Sequence, residues 1–546
     1  MKQRETIYII DFGGQYKMLI ARRVRELGVY CEILSQAQAM ERLFDEKGLL
    51  RLDSSELPIG FILTGGPLSV NDPQAPQLDP KLMTVGVPIL GICYGMQALT
   101  KLFGGTVEPA NQDEYGATQV SLDPLSSTDT PAPAGSTPAG SVQAPNIQAS
   151  ALFQGVPASF SAFMSHHDYV SKLPQSFIGL AHTDHCPYAA MANPEAKIYA
   201  TQFHPEVEHT NHGKEILRNF LFEICKAHGT WKIADFLTTT IAEIQKEVGD
   251  AKVLLALSGG VDSSVLAALL DRAIGPQLTA IFVDHGLLRK NEGDEVAAAF
   301  QGARMTFKRI DAEDRFLSRL QGVSDPEAKR KIIGKEFIEV FEEEAKKIGK
   351  VDFLAQGTIY PDLVESGMAG TSAVIKSHHN VGGLPDHVDF ERLLEPFKYL
   401  FKDEIRQLGQ ELGLPHALVH RQPFPGPGLA IRVLGEVTKE KLDLLREADA
   451  IFREEVASLP WEDRPGQYFA VLTSLRTVGV MGDERTYDYT LALRAVDTHD
   501  FMTAEWSRLP YPLLARCSQR IINEVQGINR VVYDISGKPP ATIEWE

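Results

Sequence analysis

The sequence is short of cysteine, of net positive charge and of long apolar runs, and each shortage excludes a class of protein. Its 546 residues hold 5 cysteines, at positions 31, 93, 186, 225 and 517. No C-x-x-C pair is among them, so neither a disulfide framework nor a thiolate zinc site is supported, and reduced thiols are expected. Lysine and arginine total 54 against 72 aspartates and glutamates, a formal charge of −18. That balance disfavours a general binder of nucleic-acid phosphates while leaving room for a local basic pocket, so any nucleotide partner is expected to be small. The opening MKQRETIYIIDFGG has an apolar stretch of only four residues before Asp11, far short of a signal h-region or a membrane span. The expectation is a cytosolic protein with neither a nucleic-acid nor a membrane partner. The chain has no internal repeat and no heptad run.

At this length a single core is excluded, and two to four domains are expected. TIYIIDFGG, YKMLIARRVRELG, GFILTGGP and VPILGI alternate strand-like runs with helical patterns, which predicts βαβ units around a largely parallel sheet. The pattern stops at SLDPLSSTDTPAPAGSTPAGSVQAPNIQAS, residues 121–150, whose Pro, Ser, Thr, Ala and Gly content and lack of aromatics read as a mobile surface loop. Periodicity resumes at ALFQGVPASFSAFMSHHDYV. After CKAHGTW the stretch FLTTTIAEIQKEVGDAKVLLALSGG reads as helix, turn, buried strand and glycine-rich loop. A second α/β segment follows, with VLLALS, LTAIFVDH and DFLAQGT as strands, and RQPFPGPGLA introduces a final segment ending in INRVVYDISGKPPATIEWE. The boundaries read from this pattern are 6–228, 229–420 and 421–546, in an α/β chain with a smaller α+β C-terminal part.

Four stretches carry chemistry. In VGVPILGICYGMQ, Cys93 falls at the hinge between a buried strand and a helix. By itself such a residue is more often a small buried hydrophobe than a reagent. A nucleophile needs a base, an orienting group and an oxyanion hole. TQFHPEVEH offers His204 and Glu206 two residues apart, on one face if extended, and the glycine turn in LTGGP, Gly65 and Gly66, together with the amide of Tyr94, offers the hole. In ALSGGVDSSVLAALL a strand ends at Ser258. Gly259 and Gly260 let amides approach a ligand, and Val261, Asp262, Ser263 and Ser264 open a helix. Such a turn suits phosphate, although it lacks the G-K-[ST] ending of a Walker loop, and Asp262 is a sensible Mg²⁺ ligand beside it.

S-G-G-V-D-S-S resembles the PP-loop of ATP pyrophosphatases. G-I-C-Y-G-M-Q, F-H-P-E-V and L-T-G-G-P resemble the class I glutamine amidotransferases. The order of the two, followed by FVDHGLLRKNE, LAQGTIYPD, IKSHHNVGG, PFPGPGLAIR, RTVGVMGDERTY and KPPATIEWE, is similar to the GMP synthase family over nearly the whole chain. The resemblance implies a parallel-sheet amidotransferase domain, a Rossmann-like PP-loop domain and a C-terminal domain that binds xanthosine monophosphate (XMP) and dimerises. It implies that Cys93, His204 and Glu206 release ammonia from glutamine, and that Ser258–Ser264 hold ATP with Mg²⁺. Lys376 would lie on a lid hinged at glycines 382 and 383. Arg330, Arg485, Lys538, Ile543 and Glu544 would contact XMP. Another PP-loop ligase, such as an NAD-synthetase-like enzyme, and a silent nucleotide-binding regulator are the competing readings. The stretch 121–150 is longer than the compact family pattern requires and interrupts no motif.

Overall fold

The computed structural model describes residues 4–52, 56–123, 151–365, 390–498 and 503–546. They form two compact units divided after Asp235, with a short stretch from Leu363 grouped with the first.

The first unit is built on nine strands: β1 Thr6–Asp11, β2 Tyr30–Ser35, β3 Gly60–Leu63, β4 Ile89–Ile92, β5 Thr106–Leu122, β6 Ser159–Lys172, β7 Ile178–His182, β8 Ala190–Asn193 and β9 Ile198–Thr201. Their order is β2-β1-β3-β4-β9-β8-β7-β5-β6. The first five in that order pair in parallel. A strand inside such a sheet is covered on both faces and must be apolar throughout, and every residue of GFIL and ILGI is indeed buried. The largely parallel sheet expected from the sequence is parallel only in that half. From β9 to β8 and on through β7, β5 and β6 the pairing is antiparallel. The reason lies in the pattern of β6, which alternates buried and open positions as a strand with one dry face does. Residues 121 and 122, expected to open a loop, finish β5 instead, with Ser121 opposite Ser159. The rest of the expected loop, 124–150, lies outside the described residues.

The helix Ile233–Val248 runs across the division, and the second unit continues with a five-stranded parallel sheet. Its strands are β10 Val253–Leu257, β11 Leu278–Asp284, β12 Thr306–Asp311, β13 Phe353–Ala355 and β14 Arg392–Leu394, in the order β12-β11-β10-β13-β14. The reversal of order beside β10 makes a crevice at the carboxyl ends of the strands, where open α/β sheets bind ligands. A second sheet follows, β15 Gln467–Met481, β16 Glu484–Asp497, β17 Glu505–Trp506 and β18 Ile528–Asp534. One apolar cluster joins the two sheets, from Leu254, Ile281 and Phe316 to Leu491 and Ile528. The expected division at residue 420 therefore falls within one compact unit. RQPFPGPGLA lies across it: Leu429 N–H donates to the Leu287 carbonyl at 2.8 Å, and a Cβ on Gly428 would stand 2.3 Å from that oxygen. Among the described residues no helix is long and apolar enough to cross a membrane.

Candidate active sites

β4 runs directly into the helix Tyr94–Leu102, and Cys93 between them has φ 52° and ψ −106°. A side-chain-bearing residue occupies that region only when its surroundings hold it there. Here the Cys93 N–H donates to the Thr201 carbonyl at 2.8 Å, and its own carbonyl accepts from the Met96 and Gln97 amides at 3.0 and 3.2 Å. Gly95 has no alternative, because a Cβ there would stand 2.5 Å from the Leu63 carbonyl oxygen. The thiol is thus presented at the carboxyl edge of the parallel strands.

β9, the neighbour of β4, ends at Thr201 and delivers His204 to the same edge. His204 Nδ1 lies 2.7 Å from Glu206 Oε1, while the Cys93 thiol donates toward the Ser165 carbonyl at 3.8 Å. Burial opposes the imidazolium, but the Glu206 carboxylate and the Cys93 sulfur outweigh it and raise the His204 pKa to about 10. Glu206 Oε2 is buried with no partner among the described residues. The loop is pinned from several sides. His204 N–H donates to the Phe163 carbonyl at 3.0 Å, Thr210 Oγ1–H to the His204 carbonyl at 2.6 Å, and Arg23 Nε–H to the Glu206 carbonyl at 3.2 Å.

Gly65 packs between the two reacting groups: a Cβ on it would stand 3.4 Å from His204 Cε1 and 3.8 Å from Cys93 Cβ. Gly66 faces the Tyr94 ring, 3.0 Å from Cγ by the same measure. The Tyr94 side chain turns away, its hydroxyl donating to the Pro76 carbonyl at 2.6 Å, while its amide, the first of the helix, has no acceptor within that helix. Sequence reasoning missed Gln202. It is fully buried, donates Nε2–H to Cys93 Sγ at 3.6 Å, and accepts from Gln97 Nε2 at 3.3 Å. Only its place beside HPE hinted at it. Nearby, Glu114, His166 and Cys186 are buried within 4.8 Å of one another. Both His166 nitrogens already have partners, the Asp168 carbonyl and Glu114 Oε2, each at 3.1 Å, so this is a hydrogen-bonded core network rather than an open metal site.

In the second unit β10 ends at Leu257 and the loop from Ser258 leads into the helix Val261–Ile274. Gly259 has φ +77°, and a Cβ there would meet Phe282 at 3.2 Å. Ser258 and Ser263 hydroxyls lie 3.0 Å apart, Gly260 N–H points to Ser258 Oγ at 3.4 Å, and Ser264 Oγ is buried with no partner among the described residues. Both Asp262 oxygens accept from Lys402 Nζ, at 2.7 and 2.6 Å. Lys402 was not foreseen. As a hard oxygen donor beside two hydroxyls, Asp262 suits magnesium by donor chemistry, and the half-exposed ammonium holds that position here. A cavity of about 510 Å³ adjoins the loop, with Ser258, Gly260, Asp262, Phe337 and Phe424 among its lining residues.

The residues the resemblance associates with XMP divide. Arg330 donates Nη2–H to the Glu546 carbonyl at 2.6 Å, and its neighbour Lys329, fully buried, reaches the Glu546 carboxylate. Glu544 is gripped by Arg432, at 3.0 and 2.8 Å, and by Gln467 at 3.1 Å. Ile543 packs with Phe469 and Val496, and Lys538 pairs through its backbone with Ala504. Arg485 stands elsewhere, exposed and opposite Val480 near the β15–β16 turn. Gln467 begins β15, so at ~3.3 Å per residue the strand carries Arg485 roughly 40 Å from the Glu544 group. Arg432 and Lys329 were missed, since an arginine or lysine in a helix reads as a surface charge. Lys376 lies outside the described residues.

Three family models match in succession: Glutamine amidotransferase class-I over residues 8–224, NAD synthase over 231–444 and GMP synthase C terminal domain over 454–545. The chain is 57% identical over 544 residues to a GMP synthase (glutamine-hydrolyzing) of Finegoldia magna, covering 100% of both. It is 59% identical over 546 residues to that of Treponema denticola, covering 100% of this chain and 98% of the other. To that of Acetivibrio thermocellus it is 56% identical over 543 residues, covering 99% of each. With relatives more than half identical along their whole length, and with an elbow cysteine and a PP-loop in one chain, the protein belongs to the glutamine-hydrolyzing GMP synthase family.

Proposed function

We propose that this chain makes GMP, taking ammonia from glutamine and placing it on XMP that ATP has adenylylated. The observation that carries the reading is the presence in one chain of the Cys93–His204–Glu206 group and the Ser258–Ser264 loop, ahead of a segment matching the GMP synthase C-terminal model. The same middle segment matches the NAD synthase model, which keeps a PP-loop ligase of another specificity as the second reading. The C-terminal match favours GMP.

In the amidotransferase half, Cys93 Sγ attacks the side-chain amide carbon of glutamine. His204 holds the proton that the thiol gives up and passes it to the departing ammonia, and Glu206 keeps the ring turned to the sulfur. Amides about Gly65, Gly66 and Tyr94 face the developing oxyanion. Water then releases glutamate from the thioester. In the synthetase half, Ser258, Gly259, Gly260, Val261, Asp262, Ser263 and Ser264 cradle the ATP phosphates. The oxygen on C2 of xanthine attacks the α-phosphorus and pyrophosphate leaves. Ammonia then attacks C2, AMP leaves with that oxygen, and a proton is lost. The activation is needed because the xanthine oxygen is a poor leaving group. Producing ammonia on the same chain keeps it from being protonated and lost to solvent.

Asp262 with the Ser258 and Ser263 hydroxyls would hold Mg²⁺, which neutralises phosphate charge when bound. Arg330, Lys538, Ile543 and Glu544 belong to the XMP pocket in this reading, and Arg485, roughly 40 Å away along β15, does not reach it within one chain. Assembly as a homodimer through the C-terminal sheet is supported by the apolar side chains that Val478, Val480, Tyr487 and Val532 leave exposed on it. A cytosolic location suits these small-molecule substrates.

The test is GMP formation from XMP, ATP and Mg²⁺ with glutamine or ammonium. No GMP from either nitrogen source overturns the reading. Cys93→Ala is expected to abolish the glutamine-dependent reaction and to leave the ammonia-dependent one intact. Equal loss of both would assign Cys93 to structure.

A further inference from the structure

β11 ends at Asp284 and lies beside β10, with Leu257, the last residue before the PP-loop, opposite Phe282. His285 is therefore the next residue at the same carboxyl edge as the phosphate loop. It lines the cavity that adjoins Ser258, Gly260 and Asp262, and its side chain is buried, with only 7% of the residue exposed.

The tautomer follows from one hydrogen bond. Leu287 N–H donates to His285 Nδ1 at 3.0 Å, so Nδ1 carries a lone pair and the ring proton sits on Nε2. That Nε2–H has no partner among the described residues. A donor left unpaired at the wall of the cavity is placed to meet an acceptor in a ligand bound there. The ring does not become a cation in the working range, because burial presses its pKa down to about 4, with Arg446 acting in the same direction against Asp284 and Glu292. The turn that holds it is rigid. Arg446 donates Nε–H to the Leu288 carbonyl at 3.2 Å and Nη2–H to the Gly286 carbonyl, and Leu429 N–H closes on the Leu287 carbonyl. Asp284, one residue before, is held away by Arg309 at 2.7 Å and does not compete for the donor.

Resting on the proposed GMP-forming activity, we infer that His285 contacts the substrate, its neutral Nε2–H donating to a phosphoryl oxygen of the nucleotide during adenylyl transfer. The phosphate is the acceptor of choice because the loop that receives it is on the adjoining strand. A neutral donor at fixed position favours the charge that builds on those oxygens without drawing a proton from them.

The experiment separates the donor from the turn. Asn supplies an oxygen for Leu287 N–H and retains an N–H, Asp supplies the oxygen alone, and Leu supplies neither. Wild type, His285→Asn, His285→Asp and His285→Leu are compared for XMP-dependent exchange of labelled pyrophosphate into ATP and for GMP formation from ammonium. Glutaminase activity and thermal melting report folding. The expected result is His285→Asn close to wild type, with Asp and Leu lowered in kcat by about 10- to 100-fold, the range for a lost hydrogen bond to a charged oxygen. Glutaminase activity should be unchanged throughout. Retention of exchange by either Asp or Leu overturns the inference. So does a loss in all three that appears only as a higher KM for XMP, which would place the contact on the base. A wild type that forms no GMP from ammonium fails the proposed function itself, a distinct outcome.

Discussion

At the scale of the residue, His204 is governed by its neighbours rather than by its own chemistry. Its folded pKa of about 10 lies above the ordinary 6.5, so the pairing with Glu206 stabilises the fold fully below pH 6.5 and fades as pH rises through 10. Glu206→Gln should therefore cost roughly 3 kcal/mol near pH 6, as for a buried pair deprived of one partner, with the gap to wild type closing toward pH 10. Denaturant unfolding at the two pH values measures it, and a pH-independent gap would contradict the ion-pair account. The same variant should lose glutaminase activity by about 10²- to 10⁴-fold, because the ring is no longer held in the orientation and charge state the thiol needs. Cys93 and His204 were legible from G-I-C-Y-G and F-H-P-E, since an elbow and a strand-end loop are local features. Gln202 was not, because its contact with Cys93 spans 109 positions of sequence and glutamine has no signature of its own.

At the scale of the element, the HPE loop is shaped by one small residue. Gly213 begins the helix Gly213–Arg218, and a Cβ there would stand 2.0 Å from the Pro205 carbonyl oxygen, an overlap only backbone movement could relieve. Gly213→Ala should displace the loop between His204 and Glu206 and destabilise the first unit by about 1–3 kcal/mol, the usual cost of overpacking. Glutamine-dependent GMP formation should fall sharply while ammonia-dependent formation persists. Unchanged glutaminase kinetics would show that the loop is placed by other contacts. Most strands were readable for a related reason: GFIL, ILGI and VLLAL are apolar at every position because parallel strands are covered on both faces. The antiparallel half of the first sheet was not anticipated. ALFQGVPASFSAFMSHHDYV shows its alternation only once β5 is known to lie beside it.

At the scale of the whole molecule, two units with separate cores carry separate half-reactions in this reading. Residues 1–235 expressed alone should fold around the cluster that includes Ile10, Leu63, Tyr94 and Leu99. That fragment should hydrolyse glutamine at a measurable rate and form no GMP. Failure to fold, judged by melting and near-ultraviolet dichroism, would show that the first core is not self-sufficient. The second unit is not expected to divide in the same way, because Leu254 and Ile281 share one apolar cluster with Leu491 and Ile528. Removing residues 454–546 should therefore expose that cluster and leave an aggregating product.

By itself the sequence determined the chemistry available: a thiol at an elbow, a histidine and glutamate two residues apart, and a glycine–serine turn ahead of a helix. Those spacings act through local backbone geometry, which is much the same wherever such a turn is placed. The tertiary structure alone decided which groups meet across long stretches of chain. It brought Lys402 onto Asp262 over 140 positions and Arg432 onto Glu544 over 112, and it put Arg485 at the far end of a strand from the residues it was expected to join. Packing selects such partners through burial and charge, and neither is written in the spacing of residues along the chain.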